Sequence, residues 1–167
     1  MGVGKYITVF IMTYIVYLIF SGSLSLYDLT LGALVAVVVS LLTAKLLITH
    51  DVKALNPIRL GWLIAYFIVY FLYYEVKAHT DVIKRILHPK MPINPGIVRV
   101  PYQVKSDYSI VTISNSITNT PGTVVVDLDE EKKVLYVHWI NVKGVEPEIT
   151  RSNISRGFEF FAKKIFE

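Results

Sequence analysis

The chain has 167 residues, of which 53% are hydrophobic and 18% are charged. Soluble domains usually contain about 45–50% apolar and about 25% charged residues, so this composition indicates a membrane protein. The chain contains no cysteine, which excludes disulfides, thiolate catalysis, zinc–thiolate sites and iron–sulfur ligation. We attribute the net charge of +4 to basic residues that flank membrane segments, and we do not expect nucleic acid as a partner.

Two long apolar runs open the sequence. The first follows Lys5 and ends at Phe20, and its basic start and short apolar core are also typical of a secretory signal peptide. The second, residues 29–48, is preceded by Asp28 as a candidate N-cap. Twenty helical residues extend about 30 Å, which is the thickness of the hydrocarbon core. We predict a transmembrane hairpin within residues 1–55.

Small residues recur every four positions in the second run, at Gly32, Ala36, Ser40 and Ala44. This spacing places them on one face of a helix, and small side chains let another helix approach closely. Small residues are also common in membrane helices without such a role. We interpret the row as a helix-packing face and expect it to dock a neighbouring subunit.

A third segment, residues 56–88, begins at Asn56-Pro57 and ends before Pro89, as expected of a helix. Its uncharged stretch has only fifteen residues, which is short for a span. Steps of three and four align Trp62, Tyr66, Tyr70, Tyr73 and Lys77 in one stripe. Aromatic rings with one polar end favour the headgroup layer. We therefore predict a long interfacial helix, with a third transmembrane helix as the alternative.

The distribution of basic residues predicts the orientation. Lys5 flanks the first run, and residues 21–28 contain no Lys or Arg. Lys45, Lys53 and Arg59 flank the loop after the second run. Basic loops stay in the cytoplasm, so we place the N-terminus and this second loop there. If the third segment lies along the membrane surface, the rest of the chain is cytoplasmic too.

Residues 89–167 have the pattern of a small soluble domain. Alternating apolar residues predict a strand at 97–104, and Ser106 and Asp107 are candidate caps of the helix that follows. Residues 123–128 and 133–142 are β-rich runs joined by an acidic turn, and Pro147 to Phe166 reads as one helix with Ile154, Phe158, Phe161 and Ile165 as its apolar stripe. The fold class is thus a membrane α-helical half followed by an α+β domain of order β-α-β-β-α.

No residue pattern points to catalysis. Asp127, Asp129, Glu130 and Glu131 are explained by a charged turn more simply than by a cation site. His138 alternates with apolar residues on a strand, and the four histidines lack metal-ligand spacing. We predict no catalytic, cofactor-binding or metal residue and no enzyme activity. Neither of the first two runs has an ionisable residue near its centre, so we expect no ion pathway within this chain.

Residues 120–140, TPGTVVVDLDEEKKVLYVHWI, resemble the E subunits of the multisubunit cation/proton antiporters of the Mrp or Mnh type. In that family a TPGT turn leads into a strand, a short acidic turn and a second strand. The joint HPKMPINPGI also matches, and the rest of the chain matches mainly by layout. Thr120, Pro121 and Gly122 carry the motif, and their expected role is a turn, since Pro121 fixes φ and Gly122 allows a positive φ.

The resemblance implies a multi-pass accessory subunit in a prokaryotic inner membrane, within a complex that exchanges sodium and protons. Related subunits occur in membrane-bound hydrogenase-type complexes, and these residues do not distinguish the two settings. The implied partners are other membrane subunits and the lipid bilayer, with no cofactor and no small-molecule substrate of the chain's own. Two alternatives remain: a membrane-anchored regulatory domain that binds a ligand, and a membrane hydrolase that depends on His138.

Overall fold

The computed structural model describes residues 3–48 and 56–167. They belong to two compact units, Met1–Leu60 and Gly61–Glu167. Nearly all of the predicted middle segment, 56–88, therefore groups with the α+β domain. The predicted fold class is confirmed, with apolar helices followed by a small α+β domain. Within the described residues, three helices are long and apolar enough to cross a membrane: Gly4–Ser21, Leu26–Leu47 and Pro57–Leu87.

The first unit contains a helical hairpin of α1, Gly4–Ser21, and α2, Leu26–Leu47. We predicted Asp28 as the N-cap of α2, and this is wrong. Ser25 is the cap, and its hydroxyl accepts a hydrogen bond from the Asp28 N–H at 3.1 Å. Asp28 lies in the first turn, where its carboxylate accepts a hydrogen bond from the Ser25 hydroxyl at 2.6 Å. A carboxylate there interacts favourably with the positive end of the helix dipole, so both residues stabilise the helix start.

The buried residues of α2 are Gly32, Ala36, Ser40 and Ala44. α1 of the same chain packs against this face, with the Tyr17 ring so close that a Cβ on Gly32 would come within 2.5 Å of Tyr17 Cδ1. We expected a neighbouring subunit here. Instead, α1 packs on this face, because only four residues, 22–25, connect α1 to α2 and hold the two helices side by side.

One long helix in three parts follows in the sequence, and from Gly61 onward it belongs to the second unit. α3 spans Pro57–Val69, a π-helical segment spans Tyr70–Glu75, and α4 spans Val76–Leu87. The Asn56 side chain accepts a hydrogen bond from the Ile58 N–H at 2.9 Å, as the sequence predicted for the helix start. A π-helical turn contains an extra residue, so it changes which side chains face a neighbouring element.

The sheet has three antiparallel strands: β1, Gly96–Pro101; β2, Thr123–Asp129; and β3, Val134–Trp139. β3 is central, and Val137 pairs with Val98 on one side and Val125 on the other. Side chains alternate between the two faces of a strand. One face is therefore buried, and its fully covered residues are Val98, Val100, Leu135 and Val137.

Three helices complete the domain: α5, Asp107–Asn119; α6, Pro147–Ile154; and α7, Arg156–Phe166. We predicted one tail helix from Pro147 to Phe166, but it breaks at Ser155. α6 packs on β1, where the Thr150 hydroxyl donates to the Arg99 carbonyl at 2.8 Å, while α7 packs on α5. One straight helix cannot follow both neighbours. The predicted stripe of Ile154, Phe158, Phe161 and Ile165 is buried.

The Glu159 carboxylate joins three parts of the domain. Its side chain is 2% exposed; it accepts hydrogen bonds from Arg151 Nε at 2.9 Å and from the Gln103 N–H at 2.8 Å, and Lys163 Nζ lies 3.3 Å away. Burial by itself would raise the pKa of Glu159, but these donors outweigh burial and hold the pKa below its ordinary value. The carboxylate therefore holds α6, α7 and the segment after β1 together.

We predict that Ala36→Leu lowers the stability of the hairpin, because Ala36 is completely buried and has no room for three more carbons. Overpacking of this kind costs about 1–3 kcal/mol. Val38→Leu on the exposed side of α2 is the matched control, since Val38 is 47% exposed. The measurement is the thermal unfolding midpoint of the full chain in detergent. Equal midpoints for the two variants would contradict the packing described.

We predict that Glu159→Gln destabilises the domain by about 2–3 kcal/mol, because Arg151 and Lys163 lose a buried charged partner. The folded-state pKa of Glu159 is lowered, so the ionised form adds stability above its ordinary pKa of 4.5. This contribution is lost as the pH falls through the lowered pKa, and the difference between wild type and variant should then shrink.

Denaturant unfolding of the full chain at several pH values measures this difference. Glu148→Gln is the control, because Glu148 pairs with Arg156 at 3.3 Å with both side chains exposed. Exposed pairs contribute about 0–1 kcal/mol. A loss for Glu159→Gln no larger than that of the control, or a loss that grows on acidification, would show that the network does not stabilise the fold.

Candidate functional site

The predicted aromatic stripe of the long helix contains the candidate site residues Trp62, Tyr66, Tyr70, Tyr73 and Lys77. Tyr66 and Tyr70 are 8% and 9% exposed and belong to the core of the second unit, and Trp62 packs against that core. Tyr73 is exposed, and the Lys77 ammonium lies 5.5 Å from its ring centroid. The stripe thus has an N-terminal part that packs in or against the core and an exposed C-terminal part.

The buried part of the stripe contacts the phenylalanines of α7, and we name this set of contacts the aromatic ladder. The centroid distances are 5.8 Å for Trp62–Phe160, 5.3 Å for Tyr66–Phe161, 6.0 Å for Tyr70–Phe158 and 4.8 Å for Tyr74–Phe158. Tilted and edge-on aromatic pairs contribute about 0.5–1.5 kcal/mol each beyond their buried area. At the last rung Gly157 leaves the space, since a Cβ there would overlap the Tyr74 hydroxyl.

The phenol groups of the ladder bond to the C-terminal part of α5. The Tyr66 hydroxyl forms a hydrogen bond with the Ser116 hydroxyl, and the Tyr70 hydroxyl donates to the Ser116 carbonyl at 3.5 Å. The Thr120 hydroxyl donates to the same carbonyl at 2.7 Å. The long helix, α5 and the turn after it therefore share one buried hydrogen-bond cluster.

We predicted that the stripe faces the lipid headgroups, and for Tyr66 and Tyr70 this is wrong. An aromatic ring with one polar end suits any boundary between apolar and polar groups, and here the folded domain forms that boundary. The tail itself contained a signal for this contact. Phe158, Phe160 and Phe161 lie within four positions, and such a cluster of rings suits an aromatic partner.

The opposite face of the long helix is apolar and exposed, and we name it the apolar strip. Its residues recur at the helical spacing i, i+3, i+4, i+7 and i+8, which places them on one side. They are between 54% and 72% exposed: Ile64, Phe67, Ile68, Phe71, Leu72 and Val76. A continuous apolar surface of this length marks contact with lipid or another protein.

The Thr120–Pro121–Gly122 motif forms the turn between α5 and β2. Gly122 has a φ of 93°, in the left-handed region, and the Thr123 N–H bonds to the Thr120 carbonyl at 3.3 Å. A Cβ on Gly122 would also lie 2.9 Å from Ile140 Cγ2. Only glycine meets both demands without strain.

The acidic turn and His138, which the sequence offered as candidates, have contacts that a structural role explains. Asp129 accepts hydrogen bonds from the Lys132 ammonium at 2.5 Å and the Lys132 N–H at 2.9 Å, and these bonds lower the pKa of Asp129. His138 is half-buried on β3, opposite Ile97 and Val124. Across residues 3–48 and 56–167, no three His, Asp or Glu side chains are grouped so that they could hold a metal ion.

One protein family and several individual relatives match this sequence. The model of the Na+/H+ ion antiporter subunit family matches residues 10–165. The E1 subunit of the Na+/H+ antiporter of Staphylococcus haemolyticus is 33% identical over 142 residues, which are 84% of each chain. The E subunit of the Na+/H+ antiporter of Alkalihalophilus pseudofirmus is 40% identical over 88 residues, and in this match the chain spans 53% of its own length and 56% of that relative.

A solved structure matches nearly the whole chain. It is a chain of the membrane-bound sulfane sulfur reductase, an archaeal respiratory membrane complex, with 38% identity and a TM-score of 0.84. The match covers 98% of this chain and 99% of that one. The resemblance carried by residues 120–140 is therefore confirmed. The chain belongs to the family of Na+/H+ antiporter E subunits.

Proposed function

We propose that the chain is an accessory subunit that supports assembly and ion transport of a multisubunit sodium/proton antiporter module, and that this module belongs to a respiratory membrane complex. The observation that carries the proposal is the match along 98% of the chain, at 38% identity, to a chain of a respiratory complex. The antiporter family of the sequence supplies the module. Its partners are other membrane subunits and the bilayer.

The proposal assigns no ion pathway to this chain. A pathway for sodium or protons needs ionisable side chains at membrane depth. In the described parts of α1 and α2, the charged residues are Lys5, Asp28 and Lys45, and each lies near a helix end. We therefore propose that the chain acts on transport through the subunits that it contacts and not as an enzyme.

The long helix is proposed to lie along the membrane surface, with the α+β domain on the cytoplasmic side. Its apolar strip and its aromatic ladder occupy the same stretch of helix, on opposite faces. If that stretch crossed the bilayer, α7 would enter the hydrocarbon beside it, together with Glu159 and Lys163. Charged groups in hydrocarbon cost several kcal/mol each, at least about 2.5. A surface position keeps α7 in water and the strip in lipid.

Deletion of the chain tests the accessory role. In cells that make the complex, we expect loss of the chain to prevent isolation of the intact assembly and to abolish sodium-driven proton flux in inverted membrane vesicles. Re-expression of the full chain is the control and should restore both. Normal assembly together with normal flux in the deletion strain would refute the proposal.

A point variant tests whether the aromatic ladder is needed for that role. Tyr66→Ala removes a buried ring and its bond to Ser116, and truncation of a buried aromatic residue costs about 3–5 kcal/mol. We expect a lower unfolding midpoint and less of the assembled complex recovered by affinity purification. Tyr73→Ala, in the exposed part of the stripe, should change neither. If Tyr66→Ala destabilises the chain but leaves recovery intact, the ladder serves the fold alone.

A further inference from the structure

A groove of about 670 Å³ lies beside the C-terminal half of the long helix. α4 forms one wall. The other wall consists of turn 120–123, the end of β3 and the joint between α6 and α7. The groove begins where the aromatic ladder ends, at Tyr73 and Tyr74. All of the groove belongs to the second compact unit. Of the predicted site residues, it is lined by Tyr73, Lys77 and the turn Thr120–Pro121–Gly122.

The side chains around this groove are mainly cationic, and we name it the basic groove. Its basic residues are Lys77, Lys84, Arg85, Lys143 and Arg156. Among the described lining residues Asp81 is the one carboxylate, and it already accepts two hydrogen bonds from Arg85, at 2.8 and 3.0 Å. The groove therefore has an excess of positive charge and suits an anion.

The three lysines of the basic groove are available for a ligand. Arg85 binds Asp81, and Arg156 lies 3.3 Å from Glu148. In the part of the chain that the structure describes, Lys77, Lys84 and Lys143 have no carboxylate within 4 Å, although Asp81 interacts with Lys84 and Lys143 at longer range. Ammonium groups bind a phosphate as point charges without a fixed geometry.

The neutral polar groups in the lining are less available. The Thr120 and Thr123 hydroxyls donate to the carbonyls of Ser116 and Ile117, both at 2.7 Å. The Asn153 amide donates to the Ile149 carbonyl at 2.8 Å. These donors are already used within the fold. Positive charge is therefore the main feature that the groove offers to a ligand.

An apolar surface borders the basic groove. Val76, Ile83 and Leu87 lie on one face of α4 and are 57%, 51% and 76% exposed. Lys77 and Lys84 each follow one of these residues, about 100° further around the helix. Lysines at the edge of an apolar face extend their ammonium groups to the headgroup level. Val76 also belongs to the apolar strip, so the apolar surface is continuous along the long helix.

We propose that the basic groove binds the phosphate headgroup of an anionic phospholipid whose acyl chains lie along the exposed apolar face of α4. The ligand has to combine an anion with a long apolar part, because both surfaces lie side by side on α4. A free phosphate would leave the apolar face exposed. The proposal rests on the surface orientation of the long helix in the proposed function, and it adds the lipid class that this orientation selects.

The test compares lipids on the purified full chain in neutral detergent, with native mass spectrometry as the readout. The probes are phosphatidylglycerol, phosphatidylcholine and the headgroup alone, glycerol phosphate. We expect phosphatidylglycerol to bind in preference to phosphatidylcholine, and the preference to weaken as salt is raised. Lys77→Gln with Lys84→Gln should weaken phosphatidylglycerol binding roughly 25-fold, since each of the two basic residues contributes about fivefold near an anionic group.

Lys105→Gln with Lys132→Gln is the matched control, because it removes the same charge from exposed sites outside the groove. This control should bind phosphatidylglycerol as the wild type does. Equal binding of the two lipids by the wild type, or equal losses in both double variants, would overturn the proposal. So would glycerol phosphate binding as tightly as the lipid, which would assign the groove to a free phosphate.

The two proposals fail separately. Lipid binding is measured on the isolated chain and needs no partner subunit, so its absence leaves the role in assembly standing. Normal assembly and flux in the deletion strain would remove the accessory role, while a lipid preference of the purified chain would remain. Thermal midpoints of both double variants establish that each is folded, and the lipid preference and salt dependence of the wild type test the proposal without any variant.

Discussion

The contact between the long helix and α7 limits how the second unit can lie in a membrane. The helix contains a stretch hydrophobic enough to cross a membrane, yet one of its faces is buried against a domain that carries Glu159 and Lys163. Because the aromatic ladder and the apolar strip share the same stretch, the domain and the partner of the apolar strip, which we propose is lipid, lie on opposite sides of it. Hydropathy alone does not detect this, since it averages over both faces.

Much of the fold could be predicted because its signals are local. Helix lengths, turn residues and strand alternation gave the hairpin and the α+β order, and the TPG turn carried the family resemblance. Contacts between segments that lie far apart in the sequence could not be predicted. The stripe of Trp62, Tyr66 and Tyr70 was recognised as one surface, but its partner lies about ninety residues later in the chain. Aromatic rings with polar ends are equally suited to headgroups and to a protein core.

The other errors have the same origin. Ser25 and Asp28 are both good caps, and three residues separate the two possible helix starts. The tail looked like one helix because its apolar stripe is regular through Ser155, and only the separate neighbours of α6 and α7 explain the break. The small-residue face of α2 was assigned to a neighbouring subunit, although α1 is the helix that lies against it. The pattern predicted close packing without naming the partner.

The depth of the long helix in the bilayer tests this arrangement most directly. The chain contains no cysteine, so single spin labels can be placed at Ile64, Phe71 and Ile83 without background. Phe71 and Ile83 are twelve residues apart, about 18 Å along a helix. A helix on the surface predicts that power-saturation measurements place all three labels at a similar shallow depth. A Phe71 label at the bilayer centre, with the other two near opposite surfaces, would show that the helix crosses.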